Sequence, residues 1–303
     1  TAKNFPIFDN LERSEIGTIY RYLGPDHAVK KGLEFFEPKL QQFLFSLASK
    51  KYKHLVVYCG RGGMRSASVV RLLHENGFLV SQMCGGYKEY RKFVIKQLMK
   101  NVPPLIVLHG KTGVGKTLIL KKLPSHLDLE DLAQHRSSLF GAIHKYPSNQ
   151  KNFEAKLVQK LGEFSKNIPI FIEGESRKVG QVFIPEVLAN AMKSGILILL
   201  SASIETRIKR IVEEYQICDD KSIQQIDSIL KSLKISLGKC KIDKMRWWLK
   251  HGEIENIVHM LLVDYYDPRY QNSMRKYRFS IKISSENLNQ AVDELICFRN
   301  ELE

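Results

Sequence analysis

Two short stretches of this 303-residue chain hold residue types that do chemistry. The first is Tyr58-Cys59-Gly60-Arg61-Gly62-Gly63-Met64-Arg65-Ser66, an apolar run that ends in a cysteine and passes through a glycine-rich loop. Glycines let the backbone turn tightly and aim successive N–H groups inward, which makes an anion nest. A helix starting beyond the loop adds partial positive charge, and Arg65 adds a fixed cation. A thiol in that setting is expected to have a depressed pKa and to act as a thiolate nucleophile. Gly60, Arg61, Gly62, Gly63, Met64 and Arg65 are the expected anion-binding residues. The second stretch is Gly110-Lys111-Thr112-Gly113-Val114-Gly115-Lys116-Thr117, which follows the apolar run Leu105–Leu108. It satisfies G-x-x-x-x-G-K-[ST] in the strand–loop–helix context a P-loop requires. Its amides are expected to cradle a diphosphate that Lys116 neutralises, with Mg²⁺ as a candidate partner of Thr117. The motif specifies a phosphate-bearing ligand rather than ATP.

Each loop leaves alternatives open. The cysteine loop suits sulfur or selenium transfer, as in rhodaneses, and it suits phosphate-ester hydrolysis, because Cys59 and Arg65 also fit the Cys-x5-Arg spacing of cysteine phosphatases. Gly85-Gly86-Tyr87 after the next apolar run favours the rhodanese-like reading. Cys84 precedes that turn as either a resolving thiol or a small structural residue. Near the P-loop, Ile168–Ile172 runs into Glu173 and Glu175, where a metal-holding acid or a base is expected. Ser176-Arg177-Lys178 offers further phosphate contacts, and Asp128-Leu129-Glu130-Asp131 with His135-Arg136 forms a similar polar cluster.

The elements that must position these loops are legible as alternating strands and helices, which predicts parallel α/β sheets in both halves. In the first half we expect strands at 54–58 and 78–83 and helices at 66–76 and 87–99. In the second we expect strands at 105–108, 168–172, 195–200 and 277–284, and helices at 116–122, 185–193 and 288–302. From about 205 to 270 the pattern is mainly helical. Asn101-Val102-Pro103-Pro104 reads as a linker, because two prolines suit neither a helix interior nor a central strand. The expected organisation is therefore residues 1–100 and 104–303.

Composition narrows the setting. The chain is 44% hydrophobic and 26% charged, which excludes a disordered chain. Lys and Arg number 47 against 32 Asp and Glu, a net +15. Residues 1–100 contribute 17 − 8 = +9 and the remainder 30 − 24 = +6. Such an excess points to a polyanionic partner. Five cysteines, Cys59, Cys84, Cys218, Cys240 and Cys297, include no C-x-x-C pair. That disfavours a zinc site or a disulfide framework and suggests a reducing cytoplasm. No apolar run reaches the 18 residues of a membrane span. The chain opens on Thr, which suggests a processed or truncated product.

A thiolate loop followed by a P-loop resembles the tRNA 2-selenouridine synthase family, a rhodanese domain fused to a P-loop domain. The likeness rests on Asn4-Phe5-Pro6, Glu12-Arg13, Gly17-Thr18, Cys59 to Ser66, Gly85-Gly86-Tyr87-Lys88 and Gly110 to Thr117. It continues through Asp128-Leu129-Glu130, His135-Arg136, Glu175-Ser176-Arg177-Lys178, Gly180, Glu213-Glu214-Tyr215 and Tyr265-Tyr266-Asp267-Pro268. The resemblance implies a rhodanese-like parallel-sheet domain, lacking its opening D-x-R strand ahead of Thr1, and a P-loop α/β domain with a helical insertion. It implies a transferase acting on wobble 2-thiouridine of tRNA. The sulfur would first be geranylated from geranyl diphosphate, and the S-geranyl group then displaced by selenium from selenophosphate. Cys59 would handle selenium, Arg61 and Arg65 would hold selenophosphate, and the P-loop would hold the geranyl diphosphate. No tightly bound cofactor is expected. The expected partners are tRNA and a selenophosphate-producing enzyme, with neither membrane nor DNA. Cys84 stands where the family pattern leads one to expect an acid.

Two rival functions remain at this stage. One is a cysteine-dependent phosphatase or sulfurtransferase fused to a kinase-like nucleotide-binding domain. The other is a non-catalytic, NTP-switched RNA-binding protein. Candidates for an RNA-facing surface are Arg207, Lys209, Arg210, Lys231, Lys234, Lys239, Lys241, Lys244, Arg246, Arg269, Arg275, Lys276 and Arg278. Trp247, Trp248, Tyr265 and Tyr266 are their aromatic neighbours, although packing in a helical core is the better expectation for both tryptophans.

Overall fold

The computed structural model describes residues 2–50, 52–100, 102–141, 145–215 and 219–302. Thr1, Asn101 and Cys218 lie outside them. The chain divides into two compact units, residues 1–93 and 94–303.

The first unit opens with helices Asn10–Leu23, Pro25–Phe36 and Leu40–Ala48, which the sequence reading did not anticipate. The start of the first is fixed by a capping box. Asp9 accepts from the Leu11 and Glu12 amides, and Glu12 accepts from the Asp9 amide. Strands β1 (Leu55–Val57) and β2 (Val80–Gln82) pair in parallel, with the helix Met64–Glu75 as crossover. Leu47, Val69 and Leu73 are buried against Phe5, Phe43, Leu55, Val57 and Val80. The helix Gly86–Leu98 follows β2.

The second unit is built on a five-stranded, fully parallel sheet. Its strands are β3 (Leu105–His109), β4 (His126–Leu127), β5 (Ile170–Glu173), β8 (Ile196–Ser201) and β9 (Ile281–Ser284), in spatial order β4-β5-β3-β8-β9. A small antiparallel hairpin, β6 (Lys178–Val179) and β7 (Val182–Phe183), follows β5. Both faces of the sheet are covered, which explains why β3 and β5 are apolar throughout most of their length. Leu105 and Val107 of β3 pack with Ile170 and Ile172 on one face. Ile106 and Leu108 pack with Phe171 and Ile198 on the other. The last strand is shorter than the alternation at 277–284 suggested, beginning only at Ile281.

The 205–270 stretch is helical, with no strand among its described residues. Its helices bury Leu230, Met245, Leu249 and Leu261 in a core of their own, and Trp248 packs against that core. Trp247 differs from expectation. It is half exposed and stacks on His251 with ring centroids 4.0 Å apart. A π-helical turn, Leu262–Tyr266, follows the helix Ile254–Leu261, and the Asp267 amide donates to the Leu262 carbonyl. Such turns interrupt the regular helical ladder and re-aim the residues after them.

Candidate functional site

Cys59 sits at the end of β1, in a loop held by the turn that follows β2. The Tyr87 and Lys88 amides donate to the Cys59 and Gly60 carbonyls at 3.0 and 3.1 Å. Gln82 donates to the Gly62 carbonyl at 2.8 Å, and the Ser66 hydroxyl donates to the Gly63 carbonyl at 3.0 Å. These donors turn the loop's carbonyls outward. Gly62 and Gly86 both have positive φ and nearly touch. A Cβ on Gly86 would lie 2.3 Å from the Cys59 oxygen and from the Gly62 nitrogen. The Gly85-Gly86-Tyr87 motif is therefore the brace of the cysteine loop, and only glycine permits that approach.

Sγ of Cys59 lies 3.3 Å from the Ser66 hydroxyl. Burial alone would raise the thiol's pKa. The Ser66 hydroxyl and the amides of Arg61, Ser66 and Gly63 outweigh that and bring it down to about 7. The depression comes from hydrogen bonds rather than from the Arg65 charge named in the sequence reading. Arg61 and Arg65 are exposed beside the loop and line a groove that opens on Cys59. Cys84 is exposed.

The P-loop connects β3, the central strand, to the helix Lys116–Leu120. Gly110, Gly113 and Gly115 have positive φ. A Cβ on Gly113 would meet the Arg207 carbonyl at 2.9 Å, so the helix Ile204–Tyr215 lies directly against the loop. Arg207 donates through Nε to the Thr112 carbonyl at 2.8 Å. Arg210 and the Ser285 hydroxyl both donate to the Val114 carbonyl, at 2.9 and 2.7 Å. With its carbonyls engaged from behind, the loop is left with amides for an anion. Lys116 reaches back to the Gly110 carbonyl at 3.0 Å. Burial works against its charge, but Tyr270, Glu175, Glu173 and Glu130 hold its pKa above the ordinary value.

Arg207 is 3% exposed and clamps Asp267 through two nitrogens, at 2.6 and 3.0 Å. Lys111 joins the same carboxylate at 2.8 Å. Burial pushes the Asp267 carboxyl up, while the hydrogen bonds from Arg207 and Lys111 hold it below its ordinary value. The reading of Arg207 and Arg210 as RNA-facing is therefore corrected: both are committed to the P-loop. Arg246 and Lys231 pair with Asp227, and Lys241 pairs with Asp264. Lys209, Lys234, Lys239, Arg275, Lys276 and Arg278 are exposed.

Oxygens of Glu130, Glu173 and Glu175 lie within 4.8 Å of one another. Glu173 ends β5, next to the P-loop strand. Glu130 comes from the helix Leu129–Ala133, whose N-cap is Asp128. The Thr117 hydroxyl approaches Glu130 at 3.5 Å, and the Ser137 amide donates to Glu130. Burial pushes Glu173 well up, reinforced by Glu130 and Glu175. Burial also raises Glu175 to about 7, partly opposed by Lys116. Glu173 Oε1 is buried without a hydrogen-bond partner among the described residues. An all-oxygen donor set with one orphaned oxygen fits a hard divalent cation.

Arg177 is exposed, and its carbonyl accepts from the Ile184 amide. Ser176 bonds the Lys178 carbonyl within the same hairpin. His135 fills the space that Gly180 leaves open: a Cβ there would lie 2.4 Å from its ring. His109 was missed. It ends β3, packs on Tyr277 with ring centroids 4.8 Å apart, and uses the space left by Gly174. Burial, with Lys116 nearby, lowers its pKa to about 4, so it is neutral near pH 7. Its signal was a histidine interrupting an otherwise apolar strand immediately before the P-loop.

A parallel sheet with a phosphate loop on its central strand and carboxylates on the neighbouring strand defines a P-loop α/β protein. The family described as tRNA 2-selenouridine synthase AAA domain matches residues 103–297. Proteins named tRNA 2-selenouridine synthase are similar over most of the chain. That of Pseudomonas syringae pv. tomato is 31% identical across 88% of this chain and 82% of its own. That of Hydrogenovibrio crunogenus is 28% identical across 93% and 87%. That of Nitrosomonas europaea is 33% identical across 71% and 58%. The chain belongs to the tRNA 2-selenouridine synthase family.

Proposed function

We propose that this protein is a transferase that converts wobble 2-thiouridine of tRNA into 2-selenouridine. The observation that carries the reading is the coexistence, in a chain of this family, of a hydrogen-bonded thiol in one anion loop and a clamped P-loop in another. Residues 1–100 act as a rhodanese-like domain for the selenium step. Residues 104–303, with the mainly helical stretch 205–270, act as the P-loop domain. Arg61, Arg65 and the loop amides bind selenophosphate beside Cys59.

The P-loop amides and Lys116 bind the diphosphate of geranyl diphosphate. A small apolar crevice of about 70 Å³ lies beside the loop, with room for part of a hydrocarbon tail. Thr112 of the P-loop lines it together with Ile211, Val212, Leu261 and Leu262. Apolar walls beside a diphosphate cradle suit a hydrocarbon tail. Thr117, Glu130, Glu173 and Glu175 would hold Mg²⁺, which would neutralise diphosphate charge. The basic excess left over from the two loops serves the tRNA backbone, in the cytoplasm where the substrate is found.

The atoms balance without an oxidant. The thiouridine sulfur displaces diphosphate from the geranyl carbon. Selenium of selenophosphate then bonds the base carbon, and geranyl thiol leaves. Water cleaves the selenium–phosphorus bond and gives phosphate. The test is mass spectrometry of tRNA nucleosides after incubation with both co-substrates, omitting each in turn. Omitting selenophosphate should leave geranyl-thiouridine, and supplying both should give selenouridine. If neither nucleoside forms, the reading is wrong.

A further inference from the structure

The carboxyl end of β3 carries a cluster of rings that the diphosphate cradle does not use. The His109 ring packs on Tyr277, with centroids 4.8 Å and planes 37° apart, and meets Phe279 edge-on at 5.7 Å. Phe279 packs against the apolar core of one sheet face. Tyr277 is the most open of the three rings, at 37% exposed. Gly174, between Glu173 and Glu175 in sequence, leaves room for the imidazole, because a Cβ there would lie 2.5 Å from the ring. His109 is 8% exposed, neutral near pH 7, and makes no hydrogen bond among the described residues. A neutral imidazole carries one donor and one acceptor, and a polar ring this deeply buried is ordinarily paired.

The segment that brings in Tyr277 is basic. Arg275, Lys276 and Arg278 flank it, are exposed, and form no ion pair with a described residue. That separates them from Arg207, Lys231, Lys241 and Arg246, each of which is paired with an aspartate. The cluster also lies where open parallel α/β sheets place their ligands, at the carboxyl end of the central strand. The next residue in the chain is Gly110, the first of the P-loop.

We propose that the edge formed by His109 and Tyr277 seats the ring of the wobble 2-thiouridine at the P-loop site, with Arg275, Lys276 and Arg278 on the neighbouring tRNA phosphates. The inference rests on the function proposed above and names the residues that present the base to the geranyl donor. An unstacked base offers a flat face and a polar edge. Tyr277 takes the face by stacking, which accepts any base, and the free imidazole nitrogens bond the edge. That edge carries the N3–H donor and the O4 acceptor. A neutral imidazole can meet either, whereas an imidazolium could only donate. The three cations hold the backbone on both sides and contribute affinity without reading sequence.

The test uses the full chain with geranyl diphosphate and a tRNA carrying wobble 2-thiouridine, and reads KM for each substrate separately. Tyr277→Ala should raise the KM for tRNA about fivefold or more. The KM for geranyl diphosphate should stay within about twofold of the wild type. Tyr277→Phe and Tyr277→Trp, which keep a stacking face, should restore the KM for tRNA. His109→Gln, which keeps a donor and an acceptor, should retain more activity than His109→Phe, which keeps only a ring. Replacing Arg275, Lys276 and Arg278 together by Ala should lower the log–log salt slope of tRNA binding by about two. Trp247→Ala, which removes the exposed ring stacked on His251, should leave both KM values intact. All variants are compared at matched thermal stability. An unchanged KM for tRNA in Tyr277→Ala overturns the proposal, as does a loss that falls equally on both substrates. A loss of tRNA affinity in Trp247→Ala but not in Tyr277→Ala would place the stacking surface elsewhere and overturn it too. If the wild type forms no geranyl-thiouridine, the functional reading fails and this inference fails with it.

Discussion

The two anion loops solve one problem by different means. Each must turn its carbonyls away so that its amides face a ligand. The cysteine loop does so with donors from nearby in sequence, the Tyr87 and Lys88 amides and the Gln82 and Ser66 side chains. The P-loop does so with donors from far along the chain: Arg207 and Arg210 in the helix Ile204–Tyr215, and Ser285 after β9. The first loop is short-range and solvent-facing. The second is enclosed, and its arginine clamp is in turn held by Asp267. A loop braced locally can be altered with mainly local consequences. A loop braced by a buried ion pair ties ligand binding to the stability of the whole P-loop unit.

The largest effect that would break this comparison is at Lys116. Lys116→Ala removes the cation from the P-loop and should lower geranyl-thiouridine formation by about 10²–10³-fold or more, read by nucleoside mass spectrometry. A smaller loss would show that the amide cradle alone carries the diphosphate.

Next is Arg207→Ala, which leaves the buried Asp267 without its bidentate partner. Breaking a pair of this kind costs about 3–5 kcal/mol, measurable by urea unfolding and by hydrogen exchange in residues 94–303. Because Asp267 is held below its ordinary pKa, its contribution is present above the ordinary carboxylate range and is lost as pH falls through the lowered folded value. The wild type should therefore lose this increment in acid, whereas the variant, which keeps only the Lys111 pair, should lose less. Gly86→Ala sharpens the other half. It should impair selenium transfer through the steric conflict with Cys59 and Gly62, while changing the urea midpoint of residues 94–303 little.

The smallest effect is on pH dependence. A Cys59 thiol with a pKa of about 7 predicts a selenium step that rises with pH through that value and then levels off. Below it the thiol is protonated and is not a nucleophile. Ser66→Ala removes a lowering hydrogen bond, so the inflection should move upward. An inflection that stays in place would mean that the backbone amides alone set the thiol's acidity.

The same contrast explains what could be read without a structure. The cysteine loop and its Gly85-Gly86-Tyr87 brace are short-range, and their glycines announce tight backbone approach. The P-loop strand–loop–helix unit and the acids ending β5 were legible for the same reason. The clamp was not, because its partners are separated by up to 171 residues. Arg207 and Arg210 in isolation look like any basic pair on a helix, and nothing in composition reveals that the first is buried against Asp267. The opening helices were not anticipated; they bury little of themselves, with no buried residue in the first and only Ala28 and Gly32 in the second. Glu130 was seen only as part of a charged run, since β4 and β5 pair through space to bring it beside Glu173.

The central claim is that the two loops serve separate steps. It is tested most directly by supplying pre-formed S-geranyl tRNA and selenophosphate to Cys59→Ser and Lys116→Ala in parallel. Our account predicts selenouridine from Lys116→Ala and none from Cys59→Ser, whereas Cys59→Ser still geranylates thiouridine when given geranyl diphosphate. Loss of both steps in both folded variants would contradict it.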